Sequence, residues 1–286
     1  MFPFLLQQTP GPPPPVQSQV METTVATSMP AQLEALLKGR EWVRAAAWFE
    51  TASPTVRGTY HELWLQCLNR SQQWQRLLEV CESLQPQLEA KSGPHLGTHR
   101  LYRAQCLGQL GRHGEAAQAH AENGRLGYPD GYPNACAEAR LAGDWAGLLT
   151  YAADLLARAP RHPEAQAWKG EALTRMERFA EAEPVLREAL AFNAQTAYAW
   201  NNLGRCLNER KAWAEACEAL DKALVLDPNQ IEANFNRGRC LFELRRYRDS
   251  RDAFRAALAL SPGDPVLAEN LRQAERYAAI APPKPR

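Results

Sequence analysis

The sequence predicts an all-α fold of stacked helix pairs, about seven of them, with one further helix closing the stack. The first observation is a helical period in the apolar residues. Trp200, Leu203, Gly204 and Leu207 fall at i, i+3, i+4 and i+7, leaving Asn201, Asn202, Arg205, Asn208 and Glu209 on the other side. The second is that the rhythm recurs in pairs. Trp213, Ala216, Cys217, Leu220, Ala223 and Leu224 form a partner helix, and Pro228 ends it because proline cannot extend the hydrogen-bond ladder. The third is a fixed period. Gly238, Leu241, Tyr247, Phe254, Ala257 and Pro262 each follow Gly204, Leu207, Trp213, Leu220, Ala223 and Pro228 by 34 residues. Gly170, Leu173, Phe179, Ala182, Leu186 and Ala189 precede the same unit by 34, with Ala194 in place of the closing proline. Residues as small as Gly204, Ala216 and Ala223 let two backbones approach closely.

In chain order, residues 1–29 form a Pro/Gln-rich tail expected to be disordered. Its tract from Pro10 to Pro15, all proline except Gly11, favours polyproline II, either as a plain tail or as a ligand for a proline-recognising domain. The start is not basic and its apolar run stops after Leu6, so no signal peptide is expected. The array is placed at 30–264, degenerate over 30–160 and most regular over 163–264. Pro30 opens a unit with Leu33, Leu36 and Leu37, then Trp42, Ala45, Phe49 and Ala52. A second unit holds Leu65, Leu68, Trp74, Leu77, Cys81 and Leu84, and a third holds Ala104, Leu107, His113, Ala116 and His120. Residues 91–99, KSGPHLGTH, read as a surface loop, and 124–134, GRLGYPDGYPN, as a turn or bulging loop. A fourth, weaker unit carries Cys136, Ala139, Trp145, Leu148 and Pro160. Asp264 can cap a closing helix over 265–280 with Leu267, Leu271 and Ala274, and 281–286 should be a loose tail.

Composition narrows the function classes. Lys+Arg 33 against Asp+Glu 32 leaves a net charge of +1, too little to track phosphates, so nucleic acid is a poor partner. No apolar run approaches the ~18 residues that span a bilayer, so no membrane insertion is expected. Seven cysteines without a Cys-x-x-Cys, four of them (Cys67, Cys106, Cys206, Cys240) at one equivalent site, read as small packing residues. Unpaired thiols point to a reducing, cytoplasmic setting. HELWL at 61–65 has Leu65 where a zinc-protease helix needs its second histidine. His95 and His99 lie in the expected loop, and His113 and His120 read as satisfied packing histidines. Neither a Gly-rich phosphate loop nor a serine nucleophile elbow occurs. No enzyme activity, cofactor or metal is expected.

Over 163–264 the chain resembles the tetratricopeptide repeat family, whose period and Trp-x-x-Leu-Gly, Ala-x-x-x-Phe and Pro signature it closely follows. The resemblance implies a right-handed α-α superhelix whose first helices line a concave groove that holds an extended peptide. Mapped onto this chain, the groove takes Asn134, Asn202 and Asn236 two positions before the Gly or its equivalent, and Arg205 and Arg239 one position after it. Asn201 and Asn208 share that polar side, and Trp168, Tyr198 and Phe235 add apolar area on or near it. The asparagines resemble a ladder that grips peptide backbone, and the arginines suit carboxylates. Asn201 and Arg205 stand in reversed order from the family's clamp for acidic chaperone C-termini. The expected function is a protein-binding adaptor or scaffold. The alternatives are a substrate-presenting subunit of an enzyme complex, as in glycosyltransferases, although no residues follow the array to form a catalytic domain, and a self-assembling structural part.

Overall fold

A computed structural model describes residues 29–91, 95–162 and 164–280. Residues 1–28 of the tail expected at 1–29, with its proline tract, and the tail at 281–286 lie outside the described residues. Among the described residues there are sixteen helices and no strand. No described helix is long and apolar enough to cross a membrane.

The helices pair in sequence. α1 (Ala31–Lys38) packs with α2 (Trp42–Thr51). A short α3 (Pro54–Thr59), capped by the Ser53 hydroxyl accepting from the Val56 N–H, leads into α4 (His61–Arg70) and α5 (Trp74–Lys91). The next pairs are α6 (His95–Gln109) with α7 (His113–Arg125), and α8 (Gly131–Ala142) with α9 (Trp145–Arg158). The regular units are α10 (Ala165–Arg175) with α11 (Phe179–Phe192), α12 (Ala197–Glu209) with α13 (Trp213–Leu226), and α14 (Ile231–Glu243) with α15 (Tyr247–Leu260). α16 (Pro265–Ile280) packs on α15, and Asp264 Oδ1 accepts from the N–H groups of Val266 and Leu267 at 2.8 and 3.1 Å. These are seven pairs, with α3 as an extra link and α16 at the end.

Each pair is closed by the same backbone device. One residue in the turn has a left-handed φ: Arg40, Gln72, Gly111, Gly143, Glu177, Lys211 and Arg245 in the seven units. In the sixth unit the Lys211 N–H bonds the Asn208 carbonyl and the Ala212 N–H bonds the Leu207 carbonyl, both at 2.9 Å, the paired bonds of a Schellman stop. Five of these seven turns hold a non-glycine residue in a conformation that costs a β-carbon roughly 1–2 kcal/mol.

In the last three pairs a glycine admits a close crossing. A β-carbon on Gly170 would fall 2.5 Å from Leu186 Cδ2, on Gly204 2.5 Å from Leu220 Cγ, and on Gly238 2.6 Å from Phe254 Cε1. The recurring glycine therefore exists to admit a large side chain from the partner helix sixteen residues on. Leu186, Leu203, Leu207, Leu220, Ala216, Ala233 and Leu241 form one buried cluster through these units, while Leu65, Leu68, Leu77 and Phe49 centre another in the first three.

Two expected loops are corrected. α6 begins at His95, so the segment read as a loop over 91–99 is helical from His95 onward, and His99 is buried. The glycines of 124–134 mark a close helix crossing more than a bulge. A β-carbon on Gly131 would lie 2.2 Å from the Gly124 nitrogen, and only 126–130 links α7 to α8.

Candidate functional site

The inner wall of the stack follows from which helices meet. α12 touches its neighbouring first helices α10 and α14 as well as its partner α13. Arg175 on α10 reaches Glu232 on α14, two units away, with two bonds of 3.0 Å. Side chains two units apart meet only on the inside of a curve, so the first helices form the concave side. The other charges of this wall are paired across units too. Arg140 on α8 lies 2.8 Å from Glu171 on α10, and its guanidinium sits 5.1 Å from the ring of Tyr198 on α12. Arg239 reaches Glu209 at 3.3 Å, and the Arg205 guanidinium lies 5.6 Å from the Phe179 ring.

The asparagines expected on an open polar face are largely covered. Asn201, Asn202, Asn208 and Asn236 are exposed by 7, 4, 1 and 5 %. Asn236 Nδ2 donates to Asn201 Oδ1 at 3.3 Å, and Asn208 Nδ2 donates to the Asn236 carbonyl at 3.0 Å. Asn202 Nδ2 donates to the Tyr198 carbonyl one turn back, at 2.9 Å. What the sequence pattern presents as a solvent-facing side is a polar seam between α12 and α14, because first helices flank α12 on both sides. The other residues divide. Asn134 is half-buried on α8. Trp168 is buried in a core cluster with its ring 5.7 Å from that of His162, and Phe235 packs 5.9 Å from Phe254.

Some polar atoms near this seam have no partner. They are the Tyr198 hydroxyl, Asn208 Oδ1, Gln166 Oε1 and Arg175 Nε. Burial pushes the Tyr198 hydroxyl above its ordinary pKa, so it stays a neutral donor. A buried polar atom without a bond costs about 1–3 kcal/mol.

Sequence reasoning missed Asn270 on α16, which stands 34 residues after Asn236 and 68 after Asn202. Its Nδ2 donates to the Val266 carbonyl at 2.8 Å, the same one-turn bond that Asn202 makes. The signal was present, but the period was closed at Pro262 and not carried into the last helix. Asn270 and Gln273 join Arg239, Phe242, Glu243, Trp213 and Phe254 around a cleft of about 180 Å³. The ion-pair partners Glu171, Arg175 and Glu232 were also missed, since a bond between units leaves no local pattern.

Of the two histidines expected to be satisfied in the packing, His113 is satisfied and His120 is not. His113 is half-buried and its Nδ1 lies 2.7 Å from Glu138 of the next unit. His120 is buried with Nδ1 unpartnered, and burial lowers its pKa to about 4. Among the described residues no three His, Cys, Asp or Glu side chains are grouped to hold a metal ion.

Tetratricopeptide repeat models match residues 139–195, 172–231 and 231–264. The chain is a tetratricopeptide repeat protein. Two solved repeat proteins share its fold. MamA from Desulfovibrio magneticus RS-1 is 22 % identical, covers 59 % of this chain and 97 % of its own, and superposes with a TM-score of 0.51. YrrB, described as a TPR protein with an unusual peptide-binding site, is 17 % identical, covers 68 % of this chain and 99 % of its own, with a TM-score of 0.50. No curated protein matches. The repeat fold supports an interaction scaffold with protein or peptide partners.

Proposed function

We propose that this repeat protein is a non-catalytic adaptor that holds an extended segment of a partner protein along the inner wall of α10, α12, α14 and α16. The observation that carries this reading is the set of unpartnered polar atoms along α12, the Tyr198 hydroxyl near its start and Asn208 Oδ1 near its end. A peptide backbone carries both N–H donors for the Asn208 acceptor and carbonyls for the Tyr198 hydroxyl. The asparagine period at 202, 236 and 270 extends the same chemistry toward the cleft beside Phe242.

The inner charges favour acidic segments. The Arg175–Glu232 and Arg239–Glu209 pairs leave their side chains 30–44 % exposed, and exposed pairs are worth at most about 1 kcal/mol. A partner's carboxylate can therefore displace Glu232 or Glu209 at little cost and take the arginine. YrrB is a repeat protein with a peptide-binding site, and its likeness in fold is consistent with this use of the wall.

The test is recovery of partners from the source cells by the tagged full chain, beside Tyr198→Phe and Arg205→Glu/Arg239→Glu. Removing an unpartnered buried hydroxyl leaves the melting temperature equal or higher, so lost recovery with Tyr198→Phe reports binding and not folding. Undiminished recovery by both variants contradicts the proposal.

A further inference from the structure

All seven cysteines are buried, and among the described residues one pair of sulfurs is in contact. Cys217 Sγ on α13 lies 2.6 Å from Cys240 Sγ on α14, across the junction between the sixth and seventh pairs. The 34-residue period shows this contact to be particular to that junction. Glu183 stands one unit before Cys217 and Arg251 one unit after it. At the preceding junction Cys206 lies 3.4 Å from Thr174 Oγ1, while Glu183 is held by Arg187 and Arg210. An ionic contact in one junction has become a thiol pair in the next.

We propose that Cys217 and Cys240 are an oxidation site at which a disulfide staples the sixth helix pair to the seventh. Hydrogen peroxide serves as the oxidant. Cys217, 6 % exposed against 0 % for Cys240, is the sulfur that peroxide reaches first. The hydrogen bond from Cys240 also lowers the pKa of Cys217, while the same bond and burial raise that of Cys240. The Cys217 thiolate attacks one peroxide oxygen, the O–O bond breaks, and the departing hydroxide takes a proton and leaves as water. The sulfenic acid on Cys217 is then attacked by Cys240 sulfur, the S–O bond breaks, and the Cys240 proton leaves with the hydroxyl as a second water. Two thiols and one peroxide give one disulfide and two waters, with both sulfurs oxidised and both peroxide oxygens reduced.

The link would fix α13 to α14, and so hold Asn201 and Asn208 in place against Asn236. Oxidation thus acts on the stiffness of the inner wall without touching its surface.

The reduced full chain is exposed to hydrogen peroxide, then denatured, alkylated and cut with trypsin. The expected product joins the peptide 212–222 to the peptide 240–245, two hydrogens lighter than their sum, with the other five cysteines alkylated. The melting temperature should rise by roughly 5–10 °C and return on reduction, and Cys217→Ser and Cys240→Ala should each abolish the rise. The wild-type peptide map does not depend on either variant folding. Seven alkylated thiols, a sulfinic acid at Cys217 without the link, or a link between other cysteines overturns the proposal.

Discussion

The second helix pair and the last three fill the same crossing with opposite side chains. At the crossing position of the first helix the chain runs Leu33, Leu65, Ala104, Cys136, Gly170, Gly204 and Gly238. Sixteen residues later, on the second helix, stand Phe49, Cys81, His120, Ala152, Leu186, Leu220 and Phe254. The second unit sets a large residue against a small one, and the sixth sets a small residue against a large one. The crossing therefore does not require a glycine as such, and the second and sixth units fill it from opposite sides. The choice of side has a consequence for the wall. With glycine on the first helix, the first helices lie under polar residues that bond across units, as Asn236 does to Asn201. With leucine there, the first two units are held by large apolar and aromatic side chains, including Trp42, Trp64 and Trp74.

The largest expected effect breaks this comparison directly. Leu65→Ala opens a cavity and should cost about 2–5 kcal/mol, while Gly204→Ala drives a β-carbon into Leu220 and should cost about 1–3 kcal/mol in urea unfolding. Adding Cys81→Leu to Leu65→Ala should recover about 1 kcal/mol or more, because it moves the volume to the other helix as in the sixth unit. A double variant no better than the sum of its parts breaks the shared-volume account.

Acid should separate the regions next. His120 is buried neutral with its pKa lowered from 6.5 to about 4, and His99 is lowered by the same cause, desolvation. The unfolded chain binds these protons at higher pH than the folded one, so stability falls as pH drops from 6.5 toward 4. His120 alone accounts for roughly 3 kcal/mol of that fall. No histidine follows His162. The lowered carboxyl of Glu183 in the regular units is released only below its ordinary value of 4.5. His120→Leu should flatten stability between pH 6.5 and 4, as read by thermal melts across that range.

Two smaller effects sharpen the picture. Asn208→Ala removes the donor to the Asn236 carbonyl and should cost about 1–2 kcal/mol, without changing units far from the seam in hydrogen exchange. Lys211→Gly relieves a left-handed residue and should stabilise by up to about 1 kcal/mol, while Gly143→Ala should cost about the same.

Much of the fold was legible because repetition amplifies weak signals. A single glycine in a helix says little, but Gly170, Gly204 and Gly238 at one spacing locate three crossings. Where the period slips, local composition misled. Glycines at 124 and 131 read as a loop although they serve a close crossing, and Gly97 lies inside α6. The wall was legible by position and not by exposure. A helical wheel divides α12 into one core side and one open side, whereas α10, α13 and α14 cover it from several directions. Contacts such as Arg175–Glu232 depend on the curvature of the stack, which no stretch of sequence encodes alone.

Hydrogen exchange of the full chain, alone and with a recovered partner bound, tests the inner wall most directly. The wall should appear as added protection in α10, α12 and α14, centred on Tyr198 to Asn208, with α11, α13 and α15 unchanged. Protection confined to those second helices, or to α1 through α5, would contradict it.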